Sequence, residues 1–392
     1  MPQIHTYSPL ILAVNWRSEI CTDNQLRLAE LQGVLASVNG ITIHANDWPI
    51  GYGDLAHDNL PLFFQPTARI TLDEACRETD VSEMALYIYD DCIAIAYIVF
   101  NHPAHLLPND GQISRRSDEL IALYASELCQ TLFQAKSGKL FIAAKDYIVM
   151  KSLNQQHLKY GKLLWTARTA VGNTDWDVSS WLGENVSDAD HLFIGSGNSW
   201  LKQAQQMSDF NRIMMFAQFH AAIFDLYENI LNQSLKDFTR FSDKNMMKES
   251  DMQRHQTLID HLDYININFS SACYGTQSIR REMLQQFQTS WQVAEQQQRI
   301  EKLADLVQQR LLRLKQDAIR QQNKFTQGLL GFLGALGLLG LVMDIKSFSH
   351  SFQSNQESTL LSLFADLSPD LLLFVTLSLV LVVSIIIYRN HE

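Results

Sequence analysis

From Gln277 to Asn323 the chain has no proline and no glycine, and apolar residues recur at Leu284, Phe287, Trp291, Ile300, Leu303, Val307, Leu311, Leu314 and Ala318. Steps of three and four mark the seam of a helix that packs along another helix. Gln, Glu, Lys and Arg occupy the other faces, as on a water-facing stalk. The charges end at Lys324. From Thr326 to Met343 come 18 residues without a charged side chain, enough to cross a bilayer core with little tilt. No start or stop signal separates stalk from apolar run. The pattern predicts one rod, about 100 Å long at 1.5 Å per residue, running from water into the membrane.

A second charge-free run of 18 residues extends from Leu371 to Tyr388, followed only by Arg389, Asn390, His391 and Glu392. The two runs predict a transmembrane hairpin. Its orientation follows from basic residues: Arg310, Arg313, Lys315, Arg320 and Lys324 precede the first span and Arg389 follows the second. The connecting segment has Lys346 against Asp344, Glu357, Asp366 and Asp370. The positive-inside rule then puts both termini in the cytoplasm and the acidic loop outside, a multi-pass protein of the inner (plasma) membrane.

Upstream, the pattern alternates. Ile4 to Val14 and Gly40 to His44 read as strands around a helix at Gln25 to Leu35, and Asp47 to Gly53 as a loop. Two apolar runs, Ala85 to Tyr89 and Cys92 to Phe100, flank Asp90-Asp91 and predict a central hairpin covered on both faces. Ser114 to Gln134 reads as a helix capped by Ser114, Ser117 or Asp118, with Leu120, Leu123, Tyr124, Leu128 and Leu132 as its stripe. Leu140 to Met150, Leu163 to Ala170 and His191 to Ile194 read as strands, the last of them the final one. Helices follow at Met207 to Phe238 and Met252 to Phe269. The expected fold class is an α/β cytosolic domain, a long helical stalk and a two-helix transmembrane hairpin. Its expected divisions are an α/β domain at 1–204, a helical bundle and stalk at 205–324, the first span at 325–345, an outer loop at 346–370, the second span at 371–388 and a tail at 389–392.

The net charge of -11 argues against nucleic acid as a main partner, because phosphate binding needs a basic surface. Five scattered cysteines without a Cys-x-x-Cys pair fit a reducing cytosol and buried thiols. The N-terminus shows no signal peptide.

Gly328, Gly331, Gly334, Gly337 and Gly340 recur at every third residue of the first span. A glycine row along such a ridge admits another backbone at close range. It serves either tight packing between spans or a ring of helices around a pore. In the second case Leu, Phe and Ala line the pore, Asn323 and Thr326 stand at its inner mouth, Leu336 near its middle is the candidate gate, and dewetting holds it closed. Asp344 follows the apolar run directly. Repeated around a ring it would favour cations; otherwise it is an ordinary interfacial carboxylate.

Gly195-Ser196-Gly197-Asn198-Ser199 offers free N–H groups for a phosphate or is an ordinary turn. Arg115-Arg116 at a helix start suits either an anion or plain surface. His102 and His105, and the group His255, Asp260, His261 and Asp263, lack a convergent ligand set. No catalytic motif is present, so no enzymatic activity is expected.

The layout resembles the CorA family of divalent-cation channels: an α/β cytosolic domain, a very long helix entering the first span, a short outer loop, a second span and a brief tail. That family carries Gly-Met-Asn at the outer end of the first span, where it helps bind a hydrated cation. Here the stretch reads Gly340-Leu341-Val342-Met343-Asp344. Met343 matches the motif methionine, and Val342 and Asp344 stand where glycine and asparagine would be. The resemblance implies a homo-oligomer, a pentamer, in contact with membrane lipid. Divergent CorA-like proteins act as effectors in bacterial antiviral systems, some gated by nucleotide second messengers. The resulting expectation is an oligomeric CorA-like channel or pore-forming effector, gated by a small nucleotide or a protein activator. Other readings are a magnesium transporter with a degenerate motif, with a divalent cation such as magnesium held at Asp344, and a non-conducting membrane-anchored scaffold.

The topology has a direct readout. Cysteine introduced at Ser351 is expected to react with a membrane-impermeant thiol reagent in intact cells, and cysteine at Gln297 is not. The opposite labelling reverses the orientation.

Overall fold

The computed structural model describes residues 3–12, 14–16, 24–45, 66, 68–89, 93–103, 106–134, 141–143, 164–172, 178–183, 187–189, 192–241, 249–276, 278–351, and 368, 370, 371, 374, 375 and 378. Among the described residues, nine strands form one sheet: β1 (Gln3–Ile11), β3 (Ile41–Ala45), β4 (Ala68–Leu72), β5 (Val81–Ile88), β6 (Ile93–Asn101), β8 (Ala167–Val171), β9 (Ser187–Ala189), β10 (Leu192–Ile194) and β11 (Asn198–Leu201). Their order is β3-β4-β5-β6-β1-β8-β11-β10-β9. All neighbours are antiparallel except β8 and β11. A separate pair joins β2 (Val14–Trp16) to β7 (Phe141–Ala143). The β5–β6 hairpin lies inside the sheet as expected; its Asp90-Asp91 turn and the Asp47 to Gly53 loop lie outside the described residues, as do Ala144 to Met150 of the expected strand.

The helices are α1 (Asn24–Val34), α2 (Asp110–Leu120), which runs through a π-turn at Ile121–Ala125 into α3 (Ser126–Gln134), α4 (Val178–Leu182), α5 (Met207–Phe241), α6 (Glu249–Gly275), α7 (Ser278–Ser290) and α8 (Val293–Ser351). The cap of α2 is not Ser114, Ser117 or Asp118. Asn109 takes that role, accepting the Gln112 N–H at 3.0 Å, and Ser117 is buried instead. The π-turn shifts the stripe, so Leu120, Leu128 and Leu132 are buried while Leu123 faces water.

Period-two alternation gives the sheet two different faces. Ile4 and Leu10 of β1, Met84, Leu86 and Ile88 of β5, and Ala94, Ala96 and Ile98 of β6 join Leu31, Leu120, Leu128 and Trp181 in one apolar core. The opposite face carries His5, Tyr7, Tyr87 and Tyr97, and α5 covers it. Tyr7 donates to the side-chain oxygen of Asn211, whose amide donates to the Tyr97 hydroxyl at 3.2 Å. Tyr89 stacks on Phe219 with centroids 4.5 Å apart. Behind α5 lie α6 and α7, through the Phe216–Phe269 and Phe210–Phe287 ring pairs.

The chain divides into two compact units, Met1–Gln309 and Arg310–Glu392. The expected boundary at 204/205 does not separate bodies, because α5 is buried against the sheet. The expected unbroken rod from Gln277 is also corrected. Its first part is α7, and a turn at Trp291-Gln292 precedes α8. Gln292 has φ 52° and Ser278 has φ 55°, left-handed conformations that cost L-residues about 1–2 kcal/mol. The expected seam holds in part: Leu284, Phe287, Ile300, Val307 and Leu311 are buried, while Trp291, Leu303, Leu314 and Ala318 are half-buried.

Among the described residues one helix, over Val293–Ile345, is long and apolar enough to cross a membrane, and none of its apolar stretch is buried. α8 continues through Ser351, so residues 346–351 are helix rather than loop. Of the second charge-free run, Leu371, Phe374, Val375 and Ser378 are described, helical and exposed; its other residues and the tail 389–392 lie outside the described residues.

Burial fixes an acid sensitivity. His5 is 5 % exposed, its Nδ1 lies 2.6 Å from the Tyr97 hydroxyl, and burial lowers its pKa to about 4. Burial also pushes His220 well below the usual histidine range. Between that usual value near 6.5 and about 4 the unfolded chain takes up a proton that the folded His5 refuses. The associated stability is therefore complete above pH 6.5 and falls as pH drops toward 4. Thermal melts of the full chain in detergent should show this decline, and His5→Gln should make it shallower while the His220 contribution remains.

Candidate functional site

The Gly195-Ser196-Gly197 stretch is the turn between β10 and β11. The Gly195 N–H donates to the Asn198 carbonyl at 2.8 Å, closing a β-hairpin. The segment leads into a strand, not a helix, so it has no helix N-terminus with which to cradle a phosphate. Sequence reasoning missed β11 because Asn198-Ser199-Trp200-Leu201 is short and only half apolar. It is held between the hairpin partner β10 and the distant strand β8, and the second of these lies far back in the chain. Glycine at 195 answers a close approach: a Cβ there would stand 2.2 Å from the Leu182 carbonyl oxygen.

The end of α7 sits on this turn. Ser290 donates its hydroxyl to the Ile194 carbonyl at 3.4 Å, and the Trp291 indole N–H donates to the Gly195 carbonyl at 3.3 Å. The Trp291 ring meets Phe287 edge-on at 4.9 Å and Trp165 at 5.8 Å. The backbone then reverses hand at Gln292 and α8 begins. No glycine or proline signals this break. Tertiary hydrogen bonds and aromatic packing hold it, so the helical pattern alone cannot reveal it.

Beneath the turn lies a polar cluster assembled from distant parts of the chain. Arg168 donates through Nε to the Asn198 Oδ1 at 2.6 Å and through Nη1 to the Ser114 hydroxyl at 2.6 Å. Its Nη2 stands 3.4 Å from an Asp110 carboxylate oxygen. Asn198 donates to the same carboxylate and to the Trp181 carbonyl, each at 2.7 Å. Burial lowers the Arg168 pKa, and the Asp110 carboxylate opposes that shift. The cluster locks β8, β11, α2 and α4 together, and every donor named here is used inside the fold.

Arg116 is likewise engaged. It donates to Asp80 at 3.0 and 3.1 Å and to Glu78 at 2.9 Å, and Tyr124 donates to Glu78 at 2.7 Å. These bonds hold both carboxyls below their ordinary range. An Arg116 so bound is not available as an anion ligand, which corrects that expectation; Arg115 beside it is exposed. His102 pairs its Nε2 with the Leu106 carbonyl at 2.9 Å, and His105 lies outside the described residues. Among the described residues no group of three or more His, Cys, Asp or Glu could hold a metal ion.

The apolar part of α8 presents a different surface. At 3.6 residues per turn, positions 312, 316, 319, 323, 326, 330, 333, 337, 340 and 344 keep to one face, stepping by four and three. They are Leu312, Gln316, Ile319, Asn323, Thr326, Leu330, Leu333, Gly337, Gly340 and Asp344, and all are exposed. Five sequence-identified residues, Asn323, Thr326, Gly337, Gly340 and Asp344, thus share a face. Leu336 and Met343 stand about 100–120° away from its centre, and Gly328 and Gly331 lie toward the opposite side. The glycine row therefore winds around the helix as a ridge. A Cβ at Gly328, Gly331, Gly334, Gly337 or Gly340 would meet nothing within 4 Å.

Comparison with protein-family models, with curated proteins and with solved structures finds no match to this chain.

The close approach at Gly195 is testable. Gly195→Ala should destabilise the fold by about 2 kcal/mol, because backbone must move to admit the methyl group. Gly197→Ala, where a Cβ meets nothing nearer than 3.5 Å, should leave the urea midpoint almost unchanged.

Proposed function

We propose that this protein is an oligomeric, CorA-like membrane pore whose sheet domain senses a small nucleotide or protein activator and gates ion flux through α8. One observation carries the reading: the exposed 4-3 seam from Leu312 to Asp344, on a helix whose other stalk seam is already buried in its own chain. A helix that only anchors needs no second seam on the water side of the membrane. Leu312, Gln316 and Ile319 extend that face down the charged stalk, where lipid cannot cover it. Copies of the same face, in register around an axis, would cover it.

In such a ring Asn323 and Thr326 form the inner mouth, Leu330 and Leu333 a dry constriction that closes by dewetting, and Asp344 a carboxylate ring that favours cations, magnesium among them. The shared face moves the candidate gate from Leu336 to Leu333. The turn at Trp291-Gln292, held by the 195–197 hairpin, stands between sensor and helix. A ligand that shifts the hairpin would bias the start of α8.

Mass measurement in mild detergent should give a closed ring, a pentamer by the resemblance; a monomer that persists in lipid excludes any channel. In liposomes, Leu333→Asn should raise resting ion flux at least tenfold and Leu336→Asn much less, while Gly337→Leu should reduce assembly. Unchanged flux across polar substitutions from Leu329 to Leu341, in correctly assembled protein, would leave a membrane-anchored scaffold.

A further inference from the structure

α6 carries a face that the described residues leave exposed. At 3.6 residues per turn, Asp260, Asp263, Tyr264, Ile267, Ser271 and Tyr274 fall within an arc of about 100°, and all are exposed. Ile267 is 66 % exposed and Tyr274 81 %. Large apolar and aromatic side chains on one helical face, rimmed by carboxylates, have the composition of an interface core and its rim. The carboxylates also lie near one another. Partial burial raises the Asp263 pKa, and the charges of Asp260 on α6 and Asp305 on α8 raise it further. Asp260, Asp263 and Asp305 make this corner a negative patch.

The same sequence contains its complement. On α8, Lys302, Leu306, Arg310, Arg313, Arg320 and Lys324 keep within an arc of about 80°, and each is exposed. Asp317 alone interrupts the row with a negative charge, and it lies 3.7 Å from Arg320. This row is distinct from both apolar seams of the helix. It runs far along the stalk: at 1.5 Å per residue, Arg310 stands about 20 Å from Phe325, well beyond the roughly 10 Å over which exposed charges act at 0.1 M salt. A membrane surface would engage only Lys324 and Arg320. An acidic, apolar-centred helix face would engage Lys302, Leu306, Arg310 and Arg313.

We propose that the α6 face of one copy docks on the Lys302–Arg313 row of α8 in a second copy. Ile267 and Tyr274 supply the apolar anchors, and the carboxylates supply the charge that fixes orientation. The two patches differ, so the contact is head-to-tail. A head-to-tail contact closes into a ring when its rotation permits. The inference rests on the ring proposed above and names the surfaces that build it.

Charge exchange in the full chain, in detergent and in lipid nanodiscs, tests it with mass as the readout. Asp260→Lys with Asp263→Lys should weaken assembly at least tenfold, and so should Lys302→Glu with Arg310→Glu. The two sets combined should restore assembly to within about threefold of the wild type, as expected of opposite charges that meet. An independent arm pairs Ile267→Cys, one turn from Asp263, with Leu306→Cys, one turn from both Lys302 and Arg310, which should yield disulfide-linked copies under mild oxidation. Rings unaffected by either reversal, a combined variant no better than its parents, or rings with no cross-link overturn the docking and leave the pore reading standing. If reversal on α8 lowers only binding to phosphatidylserine vesicles, the row serves lipid and the docking is also overturned. A wild-type chain that stays monomeric in lipid removes the ring itself.

Discussion

Every residue of α5 from Ile213 to Phe224 is buried, and the rest of the first unit depends on that burial. A helix apolar on one stripe can sit at a surface; one buried all round must be enclosed. The aromatic face of the sheet encloses α5 on one side, through Tyr7, Tyr89 and Tyr97, and α6 and α7 enclose it on the other, through Phe269 and Phe287. Each large side chain removed from water contributes about 1.5–3 kcal/mol. Two polar residues share this interior. Among the described residues, neither amide atom of Gln218 has a hydrogen-bond partner, nor has Nε2 of His220. Such groups cost about 1–3 kcal/mol apiece. The His220 ring recovers part of this by stacking on Phe269 with centroids 3.3 Å apart.

Enclosing α5 also sets the exit of the chain toward α8. α7 packs beside α5, and its last residues meet the β10–β11 turn, where carbonyls of Ile194 and Gly195 accept from Ser290 and Trp291. The chain changes hand at Gln292, at an energetic cost that these contacts offset. The β10–β11 hairpin and the residues just before α8 are therefore joined by hydrogen bonds. This link is the physical route that the proposed sensing by the sheet domain would use.

α8 divides its circumference three ways. One face, with Ile300, Val307 and Leu311, is buried. A second, from Leu312 to Asp344, is apolar or neutral for most of its length and exposed. The third is a row of cations from Lys302 to Lys324. A helix between water and one neighbour needs one apolar face. The two faces left over are what the oligomeric readings explain, one as the axis of a ring and the other as the bond between adjacent copies.

Where a segment's own periodicity decided its state, the sequence alone was enough. Strands β1, β5 and β6, helices α5 and α6, the buried part of the stalk seam and the charge-free run of α8 all follow from local runs and periodicities of apolar residues. Local pattern could not reveal the break at Trp291-Gln292, the strand β11 or the capture of Arg116 by Glu78 and Asp80, because each rests on residues distant in the chain. Arg116 looked free since its partners lie more than 30 positions earlier. Gln292 sits in a stretch with no helix breaker, and the indole of Trp291 forces the turn only because the hairpin stands where it can accept the bond. Asn323, Thr326 and Asp344 were legible as polar marks along an apolar helix. Their common face, and the exclusion of Leu336 from it, emerged only with an uninterrupted helix from Val293 to Ser351, because a single break would have reset the phase of every residue beyond it.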